Sequence, residues 1–216
     1  MAFSMRNFSR FIVVAIAACW TQSVFALDPR YPDWPCQQLK VPGISITSFW
    51  TGPSIEIGEA AKPTDAKQAE LVSRLAARRT PIEDARKMIA DNVVGTSAEK
   101  QEKAKRLFAA LYSTLNAQRD QVMNGIERFS RKQKAMAEDI RAKTHKLQQL
   151  QDAANGNQAE IDDLANQLSW ETRIFEDRRK STSYVCEVPV LIEKRLFDLG
   201  RAIQDAANAK DRKSVV

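Results

Sequence analysis

The chain has 216 residues, with 33 lysines and arginines against 27 aspartates and glutamates, so its formal net charge is +6. A balance this mildly basic does not favour nucleic acid as a partner. A single histidine, His145, also leaves few ways to build a catalytic or metal site.

Residues 1–26 have the pattern of a secretory signal peptide. Two arginines precede an apolar run at 11–20, no acidic residue occurs, and Val-Phe-Ala at 24–26 offers small residues at the two positions that a signal peptidase recognises. The run is far shorter than the roughly 20 residues that span a bilayer, so we expect no transmembrane anchor. Cleavage would remove two basic and no acidic residues, which leaves a mature chain from Leu27 with a net charge of +4.

A second export pattern overlaps the first one. Ile-Ala-Ala-Cys at 16–19 resembles a bacterial lipobox, in which Cys19 would be lipidated and would become the first residue of the mature protein. Ile is less usual than Leu at the first of these positions, and the site at 24–26 competes. We therefore expect a periplasmic or secreted protein, with a lipoprotein anchored through Cys19 as the alternative.

The two cysteines that remain after cleavage at Ala26 predict a disulfide. Cys36 and Cys186 would form an even pair in an oxidising compartment. They lack the close CxxC spacing that tunes thiol reactivity, so a structural bond is favoured over a redox-active pair. The bond would close a long loop, for which the chain-entropy model gives an upper bound of about 5 kcal/mol.

Residues 27–63 differ in composition from the rest of the chain. They hold six of the eight prolines and two of the four tryptophans, Trp34 and Trp50. So much proline disfavours helices and central strands. We predict an extended arm that lies along the helices and is held by Cys36; a proline-rich ligand or an aromatic-lined groove is the alternative.

Residues 64–97 predict two short helices and the start of a third. Asp65 with Gln68 marks one helix start, and that helix would run to about Arg79. Capping boxes at 80–83 (Thr-Pro-Ile-Glu) and, after a glycine, at 96–99 (Thr-Ser-Ala-Glu) mark the next two starts. Helices this short are not stable alone, so we expect both to dock on the helices that follow. Their predicted core residues are Leu71, Leu75, Ile82, Met88, Ile89 and Val93.

Residues 98–154 and 158–208 predict two long amphipathic helices joined by a turn at 155–157 (Asn-Gly-Asn). The predicted fold is all-α: a long antiparallel helical hairpin, or coiled coil, over 98–208 in a helical domain of residues 64–216, with the two short helices packed at its base and the extended proline-rich arm in front. The second helix keeps a heptad phase throughout. Its seam residues are Ile161, Leu164, Leu168, Phe175, Thr182, Val185, Pro189, Ile192, Leu196, Leu199, Ile203 and Ala206.

The seam of the first helix changes phase part-way along. Two successive steps of four around Val122 and Ile126 form a stutter, which locally unwinds a coiled coil, and Gly125 lies inside it. The full predicted seam is Ala104, Phe108, Leu111, Leu115, Gln118, Val122, Ile126, Phe129, Gln133, Met136, Ile140, Leu147 and Leu150.

The second helix has its own irregularity at the same level. Weak helix formers at 181–185 precede Pro189, so we predict a bend or a short break between Ser181 and Pro189. Folding the hairpin about its turn pairs residues whose numbers sum to about 312, which places Cys186 opposite the stutter. We therefore predict a joint at Gly125 and Pro189, fixed by the disulfide. It would separate a bundled base from a projection of residues 127–185.

The same pairing collects charge in the projection. Basic residues of the two helices fall at one level below an acidic tip, and a solvated face with intrahelical ion pairs is the plainer interpretation of such a pattern. The acidic tip comprises Asp152, Glu160, Asp162 and Asp163. The basic collar, the candidate binding site, comprises Arg128, Arg131, Lys132, Lys134, Arg178, Arg179 and Lys180.

No catalytic residue, metal site or cofactor site is predicted. His145 has no cysteine or serine at a spacing that indicates contact. Adjacent carboxylates at 138–139 and 162–163 point in different directions on a helix, and neither an EF-hand loop nor an HExxH motif occurs. We do not expect an enzyme.

Long exposed hairpins usually serve binding, so we expect an adaptor or scaffold that engages one envelope protein by its tip or its collar. The alternative is a holdase-type chaperone for exported clients, which needs accessible apolar residues such as Trp170, Ile174 and Phe175. Trp170 and Ile174 lie outside the seam, and we expect them to contact the core; a second contact, with the arm of residues 27–63 or with a partner, is the alternative. Binding of anionic lipid through the collar is a third, weaker option. A hairpin can also exchange its seam with a second copy, so a homo-oligomer is not excluded.

Overall fold

The structure is a computed structural model that describes residues 28–153 and 156–209, except for the side chain of Glu59. The predicted signal peptide and lipobox lie outside these residues. Within them the chain forms helices and no strand, as the predicted all-α class requires. The elements are a 3-10 turn at Ile46–Ser48 and the helices α1 Ile57–Ala60, α2 Ala66–Ala76, α3 Ile82–Asn92, α4 Ser97–Asp152 and α5 Gln158–Asn208.

The long helices α4 and α5 pack against each other as the predicted hairpin. Cross-hairpin pairs join Arg119 to Glu193 and Lys143 to Glu171, at sums of 312 and 314, so the predicted register is confirmed. The Asn157 side chain accepts a hydrogen bond from the Ala159 N–H and caps the start of α5. At 56 residues, α4 is about 84 Å long.

Side chains mark two of the three predicted helix starts. The Asp65 carboxylate accepts from the Gln68 N–H at 2.8 Å and starts α2. Thr96 and Glu99 form a complete capping box before α4. The capping box predicted at residue 80 is wrong, because Pro81 is the N-cap of α3 and the Thr80 hydroxyl donates to the carbonyl of Arg74.

The main hydrophobic core lies at the base of the hairpin. There α3 packs on α5, while α1 and α2 pack on α4. Trp50 of the arm stacks on Phe108, with ring centroids 4.8 Å apart. The Arg195 guanidinium donates to the carbonyls of Leu75 and Thr80 at the end of α2, and burial lowers its pKa. The short helices therefore dock at the base, as predicted.

The arm is mostly irregular, but it is not wholly extended. The 3-10 turn and α1 form between its prolines, which limits each to a single turn. The Tyr112 hydroxyl donates to the carbonyl of Ile44 at 2.5 Å and ties the arm to α4. Burial also raises the pKa of Tyr112.

The helix α5 continues through Ser181–Pro189, so the predicted break does not occur, and the alternative, a bend, stays a prediction. The hydroxyls of Ser181 and Thr182 donate to the carbonyl of Arg178 inside the helix, and Pro189 is buried against the hairpin. Tertiary packing therefore outweighs the cost of a proline in the helix interior.

Two of the predicted seam positions are wrong. Gln118 is exposed, and its neighbour Arg119 is buried instead. Val185 is 36% exposed, and its neighbour Cys186 is buried. In both places the buried neighbour contacts the arm: Arg119 donates to the carbonyl of Val41, and Cys186 is bonded to Cys36. The sequence pattern of α4 and α5 alone does not contain these contacts.

Candidate functional site: the disulfide clamp and the projecting hairpin

A disulfide clamps the arm to the hairpin. Cys36 and Cys186 are bonded, with their Cα atoms 5.6 Å apart, as predicted. Beside the bond, Trp34 packs with Met123 and Ile126 of α4 in a small second core. The Trp34 indole N–H donates to the carbonyl of Gln38 at 2.8 Å, so this part of the arm is folded on itself as well as on the hairpin.

A buried arginine lies just below the clamp. Arg119 is 2% exposed, and its guanidinium donates to the Glu193 carboxylate and to the carbonyl of Val41, both at 2.6 Å. One side chain thus joins α4, α5 and the arm. The predicted seam missed Arg119 because only apolar residues were assigned to it. A signal was present in the sequence, since Arg119 lies four residues after Leu115 and seven before Ile126, which places all three on one face of the helix.

The residues of the predicted joint lie at one level. Cys36, bonded to Cys186, packs beside Ile126, and Pro189 lies one helical turn further toward the base on α5. Gly125 is half-buried in an uninterrupted α4. The structure therefore brings these residues together, and their action as a hinge stays a hypothesis.

The arm neutralises one side of the basic collar. Asp33 lies 3.2 Å from Arg131 and 3.0 Å from Lys134, and Lys134 also donates to the carbonyl of Pro32. Hydrogen bonds from Lys134 and then Arg131 hold the pKa of Asp33 below its ordinary value. These two cations anchor the arm, and their side chains remain 53% and 54% exposed.

The other five residues of the collar fall into two groups. Arg179 pairs with Glu176 and Lys180 with Asp177, each within one turn of α5, as the solvated-face interpretation expects. Arg128, Lys132 and Arg178 are exposed and form no ion pair with any residue in the described part of the chain. Three of the seven predicted residues therefore remain as free cations.

The stretch of α5 between the tip and the clamp carries exposed apolar side chains. Trp170 is 66% exposed and Ile174 is 39% exposed, so the expected core contact is wrong. The arm crosses the hairpin near Cys186 and does not cover them. Phe175 is half-buried in the seam, where Gln133 donates to its carbonyl. Tyr184, nearer the base, is also exposed.

The tip is acidic and partly paired. Asp152 and Asp163 are exposed, Glu160 lies 2.9 Å from Lys146, and Asp162 accepts from Gln158 at 2.8 Å. The structure thus confirms the placement of an acidic end above a basic zone. It brings no group of three histidine, cysteine or acidic side chains together as a metal site within the described residues.

None of the helices in the described part of the chain is both long and apolar enough to cross a membrane. No protein-family model, no curated protein and no solved structure matches the chain.

Proposed function

We propose that this chain is a non-enzymatic adaptor or scaffold of the bacterial cell envelope that binds one protein partner through its projection. A disulfide is compatible with an oxidising compartment, and the signal-peptide pattern of residues 1–26 supports export. Beyond the contacts that Asp33 of the arm makes near the clamp, the projection consists of the two paired helices. A surface of this kind serves binding in helix-in-groove and coiled-coil recognition.

The observation that carries the proposal is the exposure of Trp170. Tryptophan is among the residues most enriched at the energetic centres of protein interfaces. Here it stands on a stretch of α5 beyond the clamp, one helical turn before the exposed Ile174.

A holdase-type chaperone for exported clients is the second candidate. The same apolar side chains, together with exposed Tyr184, would offer a surface to unfolded chains. Phe175 does not contribute, since the hairpin seam already uses it. Anionic lipid is a weaker candidate for the same reason: most of the apolar surface faces the partner helix.

Site-specific photo-crosslinking in intact cells tests the proposal. A photoreactive residue is placed at Ser169, beside Trp170, or at Lys132 in the collar; a variant at exposed Lys87 on α3 is the matched control at the base. One dominant protein adduct from the projection, absent from the control, is the expected result. Adducts with a broad set of newly exported chains would favour the holdase over the adaptor. Adducts with lipid alone would contradict both proposals.

A further inference from the structure

One face of the projection is marked by an ion pair between its helices. Lys143 of α4 lies 2.5 Å from Glu171 of α5. Residues seven and fourteen positions nearer the base share their heptad positions and so lie along the same face. These are Met136 and Phe129 on α4, and Arg178 and Val185 on α5. We call this groove between the helices the open face, because the arm's contacts with Arg131 and Lys134 lie on the other side of α4.

The open face combines an apolar floor with basic edges. Phe129 and Met136 are half-buried along α4, and Val185 is partly exposed along α5. Ile174, three residues after Glu171, adds to the floor. Arg128 reaches Gly125, Lys132 is one helical turn after Phe129, and Arg178 shares the heptad position of Glu171, so the three free cations lie along this groove. Two carboxylates beside it, Asp139 and Glu171, are both engaged by Lys143, whose pKa they raise.

The groove stays open toward the base. One heptad further down, Val122 and Ile192 line an open cavity of about 300 Å³ together with Val188. Gly125 lies just above it, and a Cβ atom there would meet only the Arg128 guanidinium, at 3.8 Å. The backbone of α4 is therefore accessible to a close neighbour at this point.

Helices of this chain already occupy the continuation of the surface. Below the cavity α2 packs on α4 and α3 packs on α5, and Arg78, just after α2, forms the cavity's lower border. The open face thus continues an established helix-packing surface past the point where the chain's own short helices end. A further helix is the element that fits it.

We infer that the open face binds an amphipathic helix of a partner protein that carries acidic residues beside its apolar stripe. The inference rests on the proposed adaptor function and names the partner's chemistry. From Gly125 to Lys143, α4 rises about 27 Å, the length of a helix of about 18 residues. Acidic side chains on such a helix would meet Arg128, Lys132 and Arg178, which lack ion-pair partners in the described chain.

Other occupants fit the open face less well. A symmetric dimer through this face would set the cations of one copy against those of the other, which like-charge repulsion disfavours. A membrane surface would reach the exposed edges of α5 but not the floor of a groove between two helices. A helix of a partner protein therefore fits the open face best.

The test uses the full chain with the photoreactive residue at Lys132. The adduct is digested, and mass spectrometry identifies the crosslinked segment of the partner. The double variant Arg128→Glu/Arg178→Glu is then compared with the control Lys67→Glu/Lys194→Glu, which makes the same charge change at exposed sites of the base. We expect an acidic amphipathic segment, and at least about a tenfold loss of adduct in the double variant only. Equal helix content in both variants excludes unfolding as the cause.

The outcomes separate this inference from the adaptor proposal. Three results would contradict the acidic partner helix but not the adaptor proposal. The dominant adduct could map to a segment without acidic residues, it could be a second copy of this chain, or its yield could be unchanged by the double charge reversal. A dominant adduct from Ser169 with none from Lys132 would have the same consequence, since the partner would then bind elsewhere on the projection. No dominant adduct from either position would overturn the adaptor proposal itself.

Discussion

The base and the projection use the same two helices but are stabilised differently. At the base, α4 and α5 are enclosed by α1, α2, α3 and the arm, and Leu111 and Leu196 have no exposed surface. In the projection the two helices pack on each other, and the arm reaches only the lower part, where Asp33 pairs with Arg131 and Lys134. The most buried apolar residues there, Leu164 and Leu168, keep 9% and 8% exposure. The same heptad pattern thus forms a closed hydrophobic core at the base and leaves an open surface in the projection.

The difference shows what decides whether an apolar residue on a long helix is buried or exposed. In both regions α5 has apolar residues outside its seam. Near the base Val188 packs against the main core, although Val190, Leu191 and Phe197 of α5 are exposed there. Trp170 and Ile174, beyond the clamp, are exposed as well. Beyond Cys36–Cys186 the arm reaches α4 through Asp33, which pairs with Arg131 and Lys134, so the exposed side chains of α5 at this level are available to another molecule.

Removing a leucine side chain from each region should give the largest difference in stability between the base and the projection. Leu111→Ala at the base is expected to lower the free energy of unfolding by about 4 kcal/mol, because closed surroundings cannot collapse into the cavity. Leu168→Ala in the projection is expected to cost about 2 kcal/mol, because its site is already partly open. Urea denaturation followed by circular dichroism measures both; equal losses would contradict the division.

Opening the clamp is the next largest change. The double variant Cys36→Ser/Cys186→Ser is expected to lose about 3 kcal/mol, since the bond restricts the unfolded chain over a long loop. Hydrogen exchange should rise in residues 28–41 and stay unchanged around Trp50, which is packed in the main core. Reductant added to the variant is the control and should have no effect. Unchanged exchange in the upper arm would show that the disulfide does not hold it.

Arg119 tests whether the arm is joined to both helices at the border of the two regions. Arg119→Met removes the hydrogen bonds to Glu193 and Val41, with an expected loss of about 2 kcal/mol, because Glu193 keeps some access to water. The double variant Arg119→Met/Glu193→Met should recover part of this loss. Additive losses in the double-mutant cycle would argue against coupling between the two side chains.

The smallest expected effect is a pH dependence of the upper arm. The pKa of Asp33 is lowered by Lys134 and Arg131, so its contribution to stability is fully present above the ordinary carboxyl pKa of about 4 and is lost as pH falls through the lowered value. The indole N–H signal of Trp34 in NMR, assigned with Trp34→Phe, should broaden or shift in that acidic range. Asp33→Asn should remove this dependence, while a transition that persists in Asp33→Asn would assign it to another group.

Much of this fold follows from the sequence. The heptad spacing, the cap at Asp65 and the capping box at Thr96 predict the helices and the hairpin register, and the even cysteine pair predicts the clamp. These signals are local or depend on simple counting. For α5, the unbroken heptad phase favours one helix, whereas the local cost of Pro189 favours a break. Only tertiary packing decides between these two outcomes.

The candidate site was predictable only in part. The sequence predicts a basic collar, but only the structure shows that Asp33 of the arm engages Arg131 and Lys134 while Arg128, Lys132 and Arg178 remain without ion pairs. The exposure of Trp170 was missed for a similar reason. A residue off the seam can be covered by a distant segment or left open, and the path of the arm decides between these outcomes.

Small-angle X-ray scattering of the oxidised mature chain, with the mass checked by light scattering, tests the projection most directly. A monomer whose hairpin projects freely along the length of α4 should have a radius of gyration of about 24 Å and a longest dimension of at least about 84 Å. A monomer with a radius of gyration of about 16 Å, the value for a compact domain of this size, would mean that the hairpin is folded back on the base and has no open face to offer.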